Sequence, residues 1–365
     1  MSVKSTTWQK ELAASLDDPA QLDLKAATLR RMRRVTKIFP LRISPHVLSL
    51  IDPKNTRCPI RRQVIPSIRE LDQNGSPDPL DEEPCRVGPG LVQRFNDRLL
   101  ALVSANCPVN CRHCNRKRNW RKAGNLAGPE DIARWLSGRR KIREVILSGG
   151  EPLLLSDRQL DKLLEAARSS KQIEIVRIHS RAPFSLPSRI TSDLLRVLKR
   201  HQPLWMITQF NHARELSTQA DQALKRLRGA GIPVLNQAVL LRGVNDSVSA
   251  QVQLGRALVS NGVKPHYLFQ LDRASGTLHF QVPVKRAMQL IGRLQRNYSG
   301  LLVPHLVIDL PGREGKVPIS PSAFVRSTKT GVLLKGSAGR TIHYQDTLEQ
   351  PQTDDSPCSY LSNDG

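Results

Sequence analysis

The sequence is poor in aromatic residues and contains no long apolar run. Phe, Trp and Tyr together make up 4% of its 365 residues. Proteins that bind single-stranded nucleic acid by stacking need more rings than this. No uninterrupted apolar stretch is long enough to cross a membrane, and the first twenty residues lack the apolar core of a secretion signal. We therefore expect a cytoplasmic protein with no membrane-spanning segment.

Acidic residues are scarce relative to basic ones. The chain has 32 Asp and Glu against 56 Lys and Arg, which gives a formal net charge of +24. Such a field attracts nucleic acid, acidic proteins or anionic cofactors. The basic residues are concentrated in the runs 29–34, 57–62, 111–122 and 137–143. We expect these runs to form mainly a solvated face, and an acidic protein partner stays open.

The sequence also lacks the second half of a structural zinc site. Cys107, Cys111 and Cys114 form a C-x3-C-x2-C motif in "CPVNCRHC", but no second Cys-x2-Cys or His-x3-His pair completes a four-ligand set. In a reducing compartment such a group indicates metal ligation. Three thiolates leave one iron of a four-iron cluster with an open coordination position. We therefore favour an iron–sulfur cluster, with the remaining three cysteines as ordinary thiols.

Short apolar runs alternate with helical stretches through the middle of the chain. The runs lie at 99–104, 144–148, 173–180, 204–210, 233–241 and 265–271. Strands that alternate with helices predict a parallel sheet with right-handed crossovers. Six such units predict an α/β fold, a partial (β/α)6 TIM-like barrel with its chemistry at the carboxyl ends of the strands.

The segments outside these six units differ from one another in amino-acid composition. Residues 21–40 have apolar positions at helical spacing, 44–53 are typical of a short capped helix, and 74–90 are rich in Pro, Gly and acids, as in a loop. We predict four segments: an N-terminal helical cap and connector (1–77), the partial barrel (78–300), a C-terminal segment (301–345) and a polar tail (346–365).

A second motif follows the second predicted strand, as the cysteines follow the first. This motif, "SGGEPL" at 148–153, has glycines where the backbone could approach a ligand closely. Together "CPVNCRHC" and "SGGEP" resemble the radical S-adenosylmethionine (SAM) superfamily. In that superfamily the open iron binds SAM, and an electron from the cluster breaks a C–S bond to give a 5′-deoxyadenosyl radical. The resemblance assigns the cluster to the three cysteines, adenine packing to His113, and the strip that receives the SAM amino group to Gly149, Gly150 and Glu151.

A narrower resemblance extends over about 78–345. The segments "GLVQRFNDRLLALVSANCPVNCRHCNRKR", "IEIVRIHSRAPF", "GIPVLNQAVLLRGVND", "HYLFQLDRASGTLHF" and "LPGREGKVPISP" together resemble the lysine 2,3-aminomutase family. In that family pyridoxal phosphate (PLP) is held as an imine by the lysine that matches Lys316. Arg94, Arg98 and Gln237 match positions around PLP.

Three further residues are assigned to the substrate by this resemblance. Asp272 and Asp309 match the aspartates that hold the ε-ammonium group of lysine, and a cation inside a dry barrel needs such opposite charge. Arg116 matches the arginine that binds the substrate carboxylate, a task suited to a planar guanidinium. The alternative for the two aspartates is that they cap loops or pair with arginines.

The resemblance implies an isomerase with three cofactors: a [4Fe-4S] cluster, SAM and PLP. It would move the α-amino group of L-lysine to C3 through a 5′-deoxyadenosyl radical and give β-lysine. The implied partners are L-lysine and an electron donor such as flavodoxin or ferredoxin. A homo-oligomer stays open.

Three departures from the clostridial type of aminomutase leave alternatives. Ser247 replaces a cysteine, Cys358 alone represents a C-terminal cysteine cluster, and Gln209 stands where histidine is usual. The first two put a structural zinc, and the subunit contact it supports, in doubt. The alternatives are an enzyme that makes β-lysine for elongation factor P, a 2,3-aminomutase for another amino acid, a radical enzyme that modifies a macromolecule without PLP, and a zinc-stabilised nucleic-acid-binding protein.

Overall fold

The N-terminal region is helical, as predicted. The computed structural model describes residues 6–22, 25–72, 74–119, 125–319, 324–335 and 340–346. Its first helices are α1 (Thr7–Ala13), α2 (Ala26–Thr36), α3 (Pro45–Ser49) and α4 (Pro59–Val64). Helix α2 buries Met32 and Val35 and exposes its arginines, which is the amphipathic pattern of a surface helix. The Ser44 side chain accepts a hydrogen bond from the backbone N–H of Val47 and so caps α3.

A ten-stranded sheet forms the body of the chain. Its strands are β1 (Arg86–Gly88), β2 (Leu91–Phe95), β3 (Arg98–Ser104), β4 (Glu144–Gly149), β5 (Ile175–His179), β6 (Leu204–Thr208), β7 (Val234–Val239), β8 (Lys264–Phe269), β9 (His305–Leu310) and β10 (Gly315–Pro318). Their spatial order equals their order in the chain. Strands β3 to β9 are parallel, whereas β1, β2 and β10 pair antiparallel with their neighbours.

Helices follow six of the parallel strands. They are α5 (Pro129–Leu136), α6 (Asp157–Ala167), the short α7 (Ala182–Ser185), α8 (Ser192–Arg200), α9 (Thr218–Gly229), α10 (Val248–Ser260) and α11 (Val284–Asn297). Each long helix buries one apolar face; in α6 that face includes Leu160, Leu163 and Leu164. The six predicted strand–helix units, and with them the partial barrel, are confirmed.

Two elements differ from the sequence prediction. A seventh parallel strand, β9, follows the sixth unit, so the sheet continues beyond residue 300. The segment 74–90, predicted as a loop, contains a 3-10 turn at Glu83–Cys85 and the short strand β1. The loop prediction was wrong there because an edge strand of three residues next to Pro and Gly leaves no clear alternation.

Arg94 joins the two ends of the sheet. From β2 its Nε donates to the Gly312 carbonyl at 2.8 Å, and its Nη2 donates to the Leu310 carbonyl at 2.5 Å and to Asp309 Oδ1 at 3.1 Å. These bonds bring β2 close to the turn between β9 and β10. The sheet therefore encloses a space at the carboxyl ends of its strands.

A small antiparallel sheet follows the barrel. It consists of β11 (Phe324–Ser327), β12 (Gly331–Lys335) and β13 (Thr341–Gln345). Just after β13, Asp346 accepts a hydrogen bond from the backbone N–H of Val284, at the start of α11, at 2.8 Å. The predicted polar tail beyond Asp346, including Cys358, lies outside the described residues. Within the described ranges, none of the helices combines the length and apolar composition that crossing a bilayer requires.

Candidate active site

One cavity of about 370 Å³ opens at the carboxyl ends of the parallel strands. Every residue that the sequence predicted for the site lines it: Arg94, Arg98, Cys107, Cys111, His113, Cys114, Arg116, Gly149, Gly150, Glu151, Gln237, Asp272, Asp309 and Lys316. These residues lie on seven strands or in the loops that follow them, and they are up to 222 positions apart in sequence, from 94 to 316. The fold therefore brings the two predicted cofactor regions and the predicted substrate residues into a single space.

The three cysteines lie in the loop that follows β3. Burial and the nearby thiolates raise the pKa of Cys107 well above its usual value, and the same causes raise the pKa of Cys114. Holding Cys107 and Cys114 as thiolates therefore requires a cation, which an iron cluster supplies. No three His, Cys, Asp or Glu side chains in the described residues converge on a single-ion position. The donor set fits a cluster, in which each thiolate binds a different iron.

Two buried cations fix this loop to the N-terminal region. Arg112 is fully buried and pairs with Glu70, its Nη2 lying 2.6 Å from Glu70 Oε2. Lys117 Nζ lies 2.7 Å from the same oxygen. Arg112 also donates to the carbonyls of Phe39 and Pro40. The Glu70 carboxylate thus compensates two buried charges, one between the second and third cysteines and one just after the third.

Replacing Glu70 by glutamine is expected to destabilise the protein by about 3–5 kcal/mol, because two buried cations lose their counter-charge. Urea denaturation of the cluster-free protein measures this loss. Glu83→Gln is the matched control, since Glu83 is exposed and pairs with exposed Arg86, and it should cost less than about 1 kcal/mol. Equal small losses in both variants would contradict the anchoring role of Glu70.

The two glycines at the end of β4 are required because other backbone segments pass close to them. A Cβ on Gly149 would lie 2.4 Å from the Ser104 carbonyl oxygen, and one on Gly150 would lie 2.5 Å from that of Asn106. Gly149 also has a φ of +118°, which disfavours other residues. These glycines were explained from the sequence only by the close approach of a ligand, and that explanation was incomplete. The backbone at Gly149 and Gly150 also contacts the backbone of Ser104 and Asn106, at the end of β3 and in the loop that follows it.

Glu151, the next residue in the loop after β4, is buried. Its carboxylate accepts hydrogen bonds from the backbone N–H of Leu153 at 3.1 Å and of Arg181 at 2.8 Å. Burial raises its pKa, while these bonds act in the opposite direction. Glu151 thus ties the loops after β4 and β5 together, and its predicted contact with SAM stays a prediction.

His113 lines the cavity and has an unused hydrogen-bond donor. The Asn211 side-chain oxygen accepts from the backbone N–H of Val239 at 2.9 Å, so its amide nitrogen must face His113 Nε2, 3.2 Å away. Burial lowers the pKa of His113 well below its usual value, so the ring is neutral. The proton consequently lies on Nδ1, which has no partner among the described residues. A buried, unpaired N–H fits a nucleobase such as the adenine of SAM.

Lys316 stands directly opposite Asp309 in the antiparallel pair of β10 and β9. Its Nζ lies 3.8 Å from Asp309 Oδ2 and 4.8 Å from the centre of the Phe95 ring. Burial lowers the pKa of Lys316; Asp309 opposes this, and Arg98 and Arg177 add to it. A lysine with a lowered pKa is a better nucleophile toward a carbonyl group such as that of PLP.

Positive charge near Lys316 fits the phosphate of PLP. Arg98 and Arg177 line the cavity, and Arg177 Nε lies 2.5 Å from Glu144 Oε1. His179, two residues along β5, is neutral because burial lowers its pKa, and its Nε2 has no partner among the described residues. Arg94, predicted near PLP, uses its Nε and Nη2 to hold the C-terminal segment. Its closest described contacts are therefore structural.

The two predicted substrate carboxylates have different surroundings. Asp309 pairs with Arg94 and Lys316. Asp272 Oδ2 accepts a hydrogen bond from Asn115 Nδ2 at 2.7 Å, and no ion pair to it is found in the described part of the chain. Burial and the neighbouring Asp309 raise the pKa of Asp272 to about 7. Of the two aspartates, Asp309 therefore has an arginine partner, and Asp272 has none among the ion pairs found in the described residues.

Arg116 faces both protein and cavity. Its Nη2 donates to the buried Glu82 at 2.5 Å, whereas its Nε has no hydrogen-bond partner among the described residues. Glu82 is held ionised despite burial because Arg116, Arg118 and Arg94 lower its pKa. Arg116 is thus fixed by one carboxylate and retains a donor for a second one, as its predicted role requires.

Sequence reasoning missed several cavity residues: Glu82, Asn115, Arg177, His179 and Arg181. Alternation along β5 could have revealed Arg177 and His179, since residues two apart share a face. Asn115 could have been predicted from its position between Cys114 and Arg116, both of which were assigned to the site. Glu82 and Arg181 carry no local signal, because their partners are distant in sequence.

The partial barrel and its three-cysteine loop define a class of enzyme. Residues 102–249 match the family model described as the Radical SAM superfamily. The L-lysine 2,3-aminomutase of Fusobacterium nucleatum is 38% identical over 346 residues, covering 93% of this chain and 81% of that protein. The L-lysine 2,3-aminomutase of Clostridium subterminale is 38% identical over 317 residues, covering 86% and 76%. The glutamate 2,3-aminomutase of Clostridioides difficile is 32% identical over 319 residues, covering 86% and 76%.

The chain belongs to the lysine 2,3-aminomutase family of the radical SAM superfamily. It is an isomerase, and the cofactors of its family are a [4Fe-4S] cluster, SAM and PLP. The predicted superfamily, family, fold class and cofactors are thereby confirmed. Membership in this family decides against the zinc-stabilised nucleic-acid-binding protein and against a PLP-free radical enzyme.

Proposed function

We propose that this chain is an L-lysine 2,3-aminomutase that forms β-lysine. The observation that carries the substrate assignment is Asp272, a carboxylate beside a second carboxylate, with a pKa raised to about 7 and an amide as its hydrogen-bond partner. A cationic side chain would relieve this repulsion, and an acidic one would increase it. The ε-ammonium group of lysine supplies the required charge.

Different residues bind the two ends of the substrate. Asp272 and Asp309 bind the ammonium end, and Arg116 offers its unpaired Nε to the carboxylate end. Lys316 holds PLP, and Cys107, Cys111 and Cys114 hold the cluster. When bound, SAM and the cluster supply hydrogen-atom abstraction, and the pyridine ring of PLP delocalises an unpaired electron during the amino shift.

Lysine binding is expected to weaken as the pH falls through about 7. Asp272 attracts the ε-ammonium only when ionised, and its pKa of about 7 means that it becomes protonated below that pH. Since one proton competes with one cation, the dissociation constant should rise by up to about tenfold per pH unit below 7. Calorimetric titration of the PLP-loaded protein with L-lysine measures it. Asp272→Asn should bind weakly with a flat profile, and a wild-type profile in that variant would assign the titration to another group.

Mass spectrometry of the products tests the proposed reaction. The reconstituted protein is incubated anaerobically with L-lysine, L-arginine, L-glutamate, SAM, PLP and a reductant, and the amino acids are separated. We expect β-lysine to be the one β-amino acid formed. Formation of β-glutamate or another β-amino acid without β-lysine would overturn the substrate assignment and retain the reaction type.

We rank release of free β-lysine ahead of the elongation factor P pathway as the destination of the product. The enzymes of that pathway generally lack the long C-terminal ending and the second aspartate, whereas this chain has β11–β13 and Asp309. We further propose that a flavodoxin or ferredoxin reduces the cluster and that the protein acts in the cytoplasm, where thiolates stay available for iron. An acidic protein partner and a homo-oligomer remain proposals supported by the +24 charge and by the family resemblance respectively.

A further inference from the structure

A buried arginine contacts one of the three cluster cysteines. Arg181 follows β5, is 8% exposed, and donates from Nη1 to Cys111 Sγ at 2.7 Å. Its Nε donates to the Gln209 carbonyl at 2.9 Å. The predicted cluster would therefore carry a cation in direct contact with one of its sulfur ligands.

Two further buried side chains hold this arginine in place. Arg181 Nη2 donates to Gln63 Oε1 at 2.9 Å and to Glu215 Oε2 at 3.0 Å. Gln63 and Glu215 are both 0% exposed, and Gln63 Nε2 donates to Glu215 Oε1 at 2.7 Å. The backbone N–H of Asn211 donates to Glu215 as well. Each of the three guanidinium nitrogens thus donates to a protein acceptor, which holds the group against Cys111.

We infer that Arg181, positioned by Glu215 and Gln63, raises the reduction potential of the [4Fe-4S] cluster. One-electron reduction adds a negative charge to a site that already contains three thiolates. A fixed cation and an N–H···S hydrogen bond stabilise the reduced form more than the oxidised form, and the low dielectric of the interior strengthens both effects. Glu215 places a negative charge behind the arginine and so limits the increase.

This inference rests on the proposed cluster ligation. The iron, sulfide and EPR assays test the ligation, and potentiometry then tests the effect of Arg181 on the reduction potential. The as-purified holoenzyme is first assayed for iron, sulfide and the EPR signal of the dithionite-reduced cluster. The reduced fraction is then measured by EPR against the applied potential, without SAM, in the wild type, Arg181→Gln, Arg181→Lys and Glu215→Gln. Arg189→Gln is the control, because Arg189 is also fully buried but bonds the Leu153 carbonyl and Asp157 and does not line the cavity.

Arg181→Gln should lower the ratio of reduced to oxidised cluster at a fixed potential by about tenfold, which is about 59 mV for one electron. Glu215→Gln should shift the potential in the opposite direction, Arg181→Lys should give an intermediate value, and the control should match the wild type. A cluster-loaded Arg181→Gln with unchanged potential would overturn the inference. Shifts of the reduction potential in the same direction and of the same size in Arg181→Gln and Glu215→Gln would also overturn it, because a general loss of packing around the cluster would change the potential of both variants alike. A wild-type protein that binds no four-iron cluster would instead overturn the proposed ligation.

Discussion

Replacing Lys316 by alanine is expected to abolish the covalent attachment of PLP and the formation of β-lysine. Lys316 is held opposite Asp309 at the cavity wall with a lowered pKa, and no other lysine lines the cavity in the described part of the chain. Borohydride reduction of the PLP-loaded protein followed by peptide mass spectrometry should place the pyridoxyl group on Lys316 in the wild type. The alanine variant should lose this adduct and the visible absorbance of bound PLP.

Lys335→Ala is the control for this experiment, since Lys335 is exposed at the end of β12. It should retain the adduct and the activity of the wild type. A pyridoxyl group on another lysine of an active Lys316→Ala variant would show that the register of β9 and β10 does not set the PLP site. The iron content should be unchanged in both variants, because the cysteine loop belongs to the other end of the sheet.

Replacing Asp272 by asparagine should weaken lysine binding by about 2–5 kcal/mol, the usual cost of removing one partner of a buried charge pair. The change keeps the shape of the side chain and removes the charge that the ε-ammonium would meet. Titration with L-lysine measures the loss, and titration with SAM should give the wild-type affinity. Norleucine, which lacks the ammonium group, should bind both proteins equally.

Asp193→Asn is the matched control, because Asp193 lies exposed on α8 and pairs with exposed Arg196. It should leave lysine affinity unchanged. Wild-type affinity in Asp272→Asn would assign lysine recognition elsewhere. Asp309→Asn should in addition lower stability, since Asp309 also compensates Arg94 and Lys316.

The sequence predicted those parts of the fold that depend on local pattern. The apolar runs of β3 to β8 are bounded by turn-forming residues and alternate with amphipathic helical stretches. The type of each element and the order of the elements along the chain could therefore be predicted. Strand β9 has the same character in "HLVIDL", but its neighbours "LPGREGK" have the composition of a loop, and the strand was assigned to the C-terminal segment. Strand β1 is too short for a period to appear.

The candidate site divides in a similar way. Residues inside a recognised motif were predicted and line the cavity, including Cys107, Lys316 and Asp272. Residues that act through distant partners were not. The contact of Arg181 with Cys111 and Glu215 joins three parts of the chain that only the closed sheet brings together. Arg94 was predicted near PLP from its motif position and lines the cavity, but the sequence did not predict that its hydrogen bonds also hold the turn between β9 and β10.

Isotope transfer from lysine to recovered SAM tests the central claim most directly. If the cluster, SAM, PLP and lysine meet in this one cavity, a hydrogen atom leaves C3 of lysine, joins the 5′-carbon of the nucleoside and later returns. Incubation with L-lysine deuterated at C3 should therefore give SAM that carries deuterium at C5′, together with β-lysine, and Cys107→Ala should give neither. β-Lysine formed by the wild type while the recovered SAM stays free of deuterium would contradict the account.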